Sequence, residues 1–281
     1  MDNAASIKVL KGNGESQVFD ENKLILALER AGASQDVCQE VLNKVESKLF
    51  DGITTKQIYS FAFSILRQKS KRAAGRYKLK SAILSLGPSG YPFEVFVGRL
   101  FETFGYTVET GVLMQGNCVE HEVDVVARKA GEIVVIECKF HHDQRTKTSV
   151  QVPLYVHSRF QDIEAKWRAE HHDSEVQFKG HVVTNTRFST DAKDYAKCAG
   201  LGMISWDYPH HKCLRTLIDQ SGLHPITSLL SLRKAEQKAM LEAGIVLCRE
   251  LETLQEMLHE MNISTRRINT ILKEAKALII S

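Results

Sequence analysis

The chain has 281 residues, a formal net charge of +3 and six cysteines, and is long enough for two or three domains. Its apolar and charged fractions are those of a globular protein; no run of about 18 apolar residues supplies a membrane span, and the N-terminus lacks the apolar core of a signal peptide. The cysteines are scattered with no CxxC pair, which points away from a zinc site or a disulfide framework and towards a reduced, cytoplasmic setting, while a net charge this small does not by itself indicate a nucleic-acid partner.

A first unit is expected over residues 1–86. Ile7 to Leu10 and Ser16 to Phe19 form a short hairpin around Lys11-Gly12-Asn13-Gly14. Asp20 caps a helix in which Leu24, Leu28 and Ala31 recur at helical spacing. A second helix is predicted from Gln35 to Phe50, broken by Asp51-Gly52. A third starts at Thr54 or Thr55 and runs to about Gln68. From Arg67 to Lys80 seven residues are Lys or Arg and none is acidic, which leaves two readings open, a solvated helix face or a phosphate-facing stripe. Leu86-Gly87-Pro88-Ser89-Gly90 interrupts the pattern and marks a boundary.

In the second unit, 87–220, the informative stretch is a predicted hairpin. His121 to Ala127 and Ile133 to Lys139 are rich in β-branched residues, and Gly131 lies in the turn between them. Residues two apart on a strand share a face, so Glu137 and Lys139 point the same way, about 7 Å apart. Asp124, on the neighbouring strand, can face them. Two carboxylates and a lysine ending an apolar hairpin are costly to bury unless they hold a cation or one another. The spacing alone leaves both options open: a Mg2+ site made by Asp124, Glu137 and the Cys138 carbonyl with Lys139 beside it, or a surface ion pair. Further on, a helix beginning near Val152-Pro153 places Gln151, Tyr155 and Arg159 on one face. Arg159 then either meets a phosphate or pairs with Asp162 or Glu164. The adjacent pairs His141-His142, His171-His172 and His210-His211 lack the i, i+4 spacing of a zinc site. The third unit, 221–281, is helical.

Two family resemblances sharpen this reading. Val9-Leu10-Lys11, Phe19 to Leu24, Asp51 to Thr55 and Arg76-Tyr77 resemble the ATP-cone, an allosteric nucleotide-binding domain. The resemblance implies ATP or dATP as effector, with Lys11, Lys23, Thr54 and Thr55 as binding residues. Lysines supply point charges for phosphates, and a helix start supplies N–H groups. The first turn has Gly12 where the family usually carries arginine.

Three ordered blocks resemble the PD-(D/E)xK core of Mrr-type restriction endonucleases: Tyr91 to Tyr106, Asp124 with Glu137-Cys138-Lys139, and Gly180 to Ser189 followed by Ala192 and Ala196. This resemblance implies an α/β (α+β) protein with a mixed-sheet nuclease core between a mostly helical cone and a C-terminal helical module. It implies Asp124, Glu137 and Lys139 as catalytic residues, Gln151 as a further one on the helix after the ExK strand, and Glu94 as either an added metal ligand beside Asp124 and Glu137 or a surface residue. The C-terminal module is faintly similar to helix-hairpin-helix domains, which leaves DNA contact and domain packing or dimerisation both open.

The expectation is a nucleotide-regulated, Mg2+-dependent endonuclease acting on DNA in bacterial anti-phage defence, as a homo-oligomer without a membrane partner. The alternatives are a nucleotide-sensing DNA-binding regulator that does not cut and an RNA- or structure-selective nuclease. The absence of a GxxxxGK[ST] loop argues against ATP hydrolysis by the cone.

Overall fold

The computed structural model describes residues 7–12, 14–172 and 175–279. Asn13, expected in the first hairpin turn, lies outside them.

A two-stranded antiparallel hairpin, β1 (Lys8–Leu10) and β2 (Ser16–Val18), opens the chain. It leads into α1 (Glu21–Arg30), whose first turn is capped by Asp20 through the Lys23 N–H. α2 (Gln35–Glu46) is shorter than expected, because the Lys48 and Leu49 N–H groups turn back onto Val45 and Glu46. Thr54 caps α3 (Thr55–Lys69) in a reciprocal arrangement with Gln57, which satisfies two of the helix start's unpaired donors. Val9, Leu28, Val41, Val45, Ile53 and Leu66 close a first apolar core.

The basic run from Arg67 to Lys80 matches neither reading in full. Ser70 ends α3 and caps α4 (Lys71–Tyr77), and α5 (Leu79–Leu84) follows. The two turns rotate the side chains inwards. Arg76 donates to the Leu278 carbonyl at 3.2 Å, Lys69 pairs with Glu40 at 2.8 Å, and burial holds Lys78 and Lys80 below the usual lysine range.

The second unit is a five-stranded mixed sheet in the order β3 (Thr107–Gln115), β4 (Glu120–Lys129), β5 (Glu132–Lys139), β7 (Gln177–Thr184), β9 (Gly202–Ile204). β3, β4 and β5 are antiparallel; β7 and β9 run parallel to β5. Gly131 takes a φ of +75° in the β4–β5 turn, a conformation that a Cβ would strain. Two short strands, β6 (Lys147–Thr148) and β8 (Arg187–Phe188), pair beside the sheet.

Helix α6 (Tyr91–Glu102) lays Phe93, Phe96 and Leu100 against Val125, Ala127, Val134 and Ile136. Burial of each such side chain contributes about 1.5–3 kcal/mol. The opposite face packs Val126, Val135 and Phe178 against Phe160, Ile163 and Trp167 of α7 (Gln151–Glu170). α8 (Thr190–Cys198), capped by Ser189, turns Ala192 and Ala196 inwards.

After α9 (Leu214–Ser221) the chain remains helical: α10 (Lys234–Glu242), α11 (Gln255–Glu260) and α12 (Thr265–Ile279), with 3-10 turns at Ile226–Ser228 and Cys248–Glu252. Glu274 is buried and accepts from the Leu230 and Ser231 N–H groups at 2.6 and 3.0 Å. The module shares a continuous apolar core with α6 and the sheet, and Arg99 of α6 pairs with Glu250 at 3.0 Å. Domain packing is therefore what this module visibly does.

Candidate active site

The carboxylates of interest converge where α6 begins, β4 kinks and β5 ends. The β3–β4 ladder pairs Thr110 with Val125 and Val112 with Val123. Gly111, with a φ of +63°, stands opposite Asp124 between those pairs. Strand alternation breaks at this point. Val125 packs on the α6 side, whereas Val123 joins Val126 and Val135 on the α7 side.

Asp124 is anchored to β5 by the Cys138 N–H, which donates to its Oδ2 at 2.6 Å. Burial, and next the Glu137 carboxylate, push the Asp124 carboxyl up to about 7; the Cys138 N–H opposes the shift, Glu94 adds to it, and Arg159 opposes it. Glu94, in the first turn of α6 and half-buried, is also shifted up, by burial and then by Glu122 and Glu137. Three carboxylates thus share one field across three elements, which favours proton or cation uptake.

Glu137 points to α7. Its Oε2 accepts from Arg159 Nη1 at 2.7 Å and its Oε1 from the Tyr155 hydroxyl. Arg159 also donates to the Glu122 carbonyl at 3.1 Å. The helical spacing singled out Tyr155 and Arg159, but the partners named for Arg159 were others: Asp162 pairs with His121 at 2.8 Å and Glu164 with Arg168 at 2.6 Å. Gln151 is exposed at the start of α7, one turn before Tyr155. Lys139 is half-buried, and among the described residues its ammonium makes no ion pair within 4 Å. The Thr184 hydroxyl donates to its carbonyl at 2.7 Å. Asn185 then clamps the backbone of His141 in both directions at 2.8 Å, fixing how β5 leaves the site. Neither Thr184 nor Asn185 carried a sequence signal for this role.

These donors are hard oxygens, and the mutual repulsion that raises Asp124 and Glu94 suits a hard divalent cation. As the side chains lie, no group of three His, Cys, Asp or Glu residues among those described stands close enough to close a metal site, because Glu137 is turned onto Arg159 and Tyr155.

In the cone, Lys23 and Thr55 line one cavity of about 200 Å³ together with Gln17, Tyr59 and Tyr77. Lys11 lies outside it and pairs with Glu15 at 3.1 Å, and Thr54 is engaged in its capping interaction.

The fold and site define a nuclease domain preceded by a nucleotide-binding cone. Comparison with known proteins agrees: residues 7–83 match the ATP cone domain, 87–209 the restriction endonuclease domain of the Mrr catalytic type, and 224–279 the AF1548-like C-terminal domain. An uncharacterised protein of Archaeoglobus fulgidus is 36% identical over 184 residues, 65% of this chain and 99% of that protein. The crystal structure of AF1548, a protein of unknown function, aligns at 36% identity and a TM-score of 0.55 over 68% of this chain and 98% of that one. The chain belongs to this AF1548-like family. The MspJI restriction endonuclease, solved with a 27-mer oligonucleotide, aligns at 13% identity and a TM-score of 0.36, over 62% of this chain and 36% of that one. Among the described residues no helix is long and apolar enough to cross a membrane.

Proposed function

We propose that the chain is a nucleotide-regulated, Mg2+-dependent endonuclease that hydrolyses DNA phosphodiesters, acts as a homo-oligomer in the cytoplasm and serves anti-phage defence. The observation that carries the chemistry is the carboxylate cluster of Asp124, Glu137 and Glu94 inside a restriction endonuclease domain, with Asp124 pushed up to about 7. The defence role rests on the domain type, and ATP or dATP as effector rests on the cone.

Asp124, Glu137 and Glu94 are the residues that would hold Mg2+, which supplies charge to activate a water and shield the leaving oxygen. Lys139, sharing the Glu137 face by strand parity, assists the water or the phosphate charge. Arg159 exchanges its carboxylate partner for a substrate phosphate, and Tyr155 steadies Glu137 during that exchange. Gln151 faces the substrate from the start of α7. Purified protein incubated with plasmid, methylated plasmid and RNA, in Mg2+ and in EDTA, tests the reading. Cleavage only of RNA selects an RNA nuclease. DNA binding without cleavage selects a non-cutting regulator, the reading favoured by Glu137 being held on Arg159.

Asp124 also sets a pH signature. Its folded-state value lies above the unfolded value of about 4. The folded chain therefore keeps a proton that the unfolded chain loses between about pH 4 and 7, and stability falls as pH rises across that window. D124N removes this dependence. In EDTA at pH 8 it is expected to melt a few degrees above the parent while losing cleavage. A parent and D124N melting alike at every pH would remove Asp124 from a strained cluster. DNA binding is expected to weaken steeply between low and physiological salt through counterion release from contacts such as Lys147 and Arg159; a filter-binding series showing no salt slope would count against a DNA partner.

A further inference from the structure

Cone and nuclease units meet at a cavity of about 240 Å³ that the cone's own pocket and the carboxylate cluster leave unexplained. Arg30 of α1, Arg76 of α4 and Lys80 of α5 line one side. Trp206 and the α9 residues Arg215 and Asp219 line the other. Four cations thus face one carboxylate. The charges that act on Asp219 are Arg76, Arg215 and Arg30, in that order, and Arg215 also acts on Lys80. Among the described residues Arg30 and Arg215 have no ion pair within 4 Å, and the Lys80 ammonium lies 5.7 Å from the Trp206 ring centre. Gathering like charges at a partly dehydrated seam is unfavourable unless an anion completes it. Guanidinium groups are suited to phosphate because they present paired donors.

The seam cavity is not isolated. Ala27, Tyr59 and Tyr77 line both it and the cone cavity that holds Lys23 and Thr55. The two tyrosine rings are stacked with centres 4.9 Å apart, so they form a shared wall between the two spaces.

We propose that this seam is an oligophosphate-binding site, in which Arg30 and Arg76 of the cone and Arg215 of α9 grip one anion and so tie the two units together. The anion is either the phosphate tail of a nucleotide seated in the cone or a free oligophosphate. The first case deepens the nucleotide-regulated reading, while anion binding as such does not depend on it.

The test is calorimetry on the full chain with inorganic tripolyphosphate and with ATP, at physiological salt. Tripolyphosphate is expected to bind the parent. R215Q is expected to weaken that binding tenfold or more. D219N is expected to strengthen it severalfold, a gain that misfolding does not produce. K23A, whose side chain lines the other cavity, is expected to leave it unchanged. Competition between ATP and tripolyphosphate identifies the nucleotide tail as the ligand, and simultaneous binding identifies a free oligophosphate; either supports the site. No tripolyphosphate binding at millimolar concentration, equal binding by R215Q, or loss of binding in K23A overturns the proposal. If tripolyphosphate binds as expected but neither ATP nor dATP alters cleavage, the seam site stands and nucleotide regulation falls.

Discussion

E137A is expected to cut plasmid DNA at least about a hundredfold more slowly than the parent, and K139A to do the same, with both remaining folded. Removing a group that acts on the reacting phosphate or its water typically forfeits 2.7–4 kcal/mol or so of transition-state stabilisation, roughly a hundred- to a thousandfold in rate. Glu137 is the carboxylate whose charge acts most strongly on Asp124, so E137A has a second consequence. With that repulsion gone, Asp124 titrates lower and the remaining carboxylates hold a cation less well. Titration of Mg2+ under single-turnover conditions separates the two. E137A is expected to need more Mg2+ and to reach a lower plateau. K139A is expected to keep the parent's Mg2+ midpoint and lose only the plateau, because its ammonium contributes no ligand. If either variant matched the parent's plateau, the assignment of this cluster as the catalytic centre would be wrong.

The parts of this site that could be read from the chain are those in which neighbours in sequence are neighbours in space. The Gly131 turn, the parity of Glu137 and Lys139 and the Ser189 cap obey local rules of strand pleat and helix capping. What could not be read depends on how elements dock. The partner of Arg159 was sought along its own helix, at Asp162 and Glu164, but α7 crosses the sheet so that its inner face delivers Arg159 and Tyr155 to Glu137. The kink at Asp124 needs Gly111, thirteen residues earlier on another strand. The basic run from Arg67 to Lys80 has one composition but two turns, and Ser70, as a cap for two helices at once, sends part of it inwards. The Glu274 clamp joins residues more than forty positions apart, a distance no periodicity spans.

Millimolar ATP or dATP is expected to change both the assembly state and the cleavage rate of the parent, by roughly five- to 150-fold in the population ratio of the two states, the range of a 1–3 kcal/mol coupling. A nucleotide shifts an equilibrium only if it binds two states with different affinity. The fold offers a physical route for that difference. The wall of the cone cavity at Tyr59 and Tyr77 is also a wall of the seam against Trp206 and Arg215. Arg76, on the turn after Tyr59's helix, holds the C-terminal carbonyl of Leu278. Occupation of the cone cavity therefore acts on side chains that touch the nuclease unit and the C-terminal module. Of the two lysines that the sequence singled out, Lys23 lines the cavity and Lys11 pairs with Glu15 outside it. K23A is thus expected to flatten the nucleotide response, whereas K11A reduces it far less. The measurements are mass photometry and plasmid cleavage with and without nucleotide, each variant compared as a ratio to its own nucleotide-free rate. A response in K23A equal to the parent's would place the effector elsewhere, and no response in the parent would leave the cone without a regulatory part in cleavage.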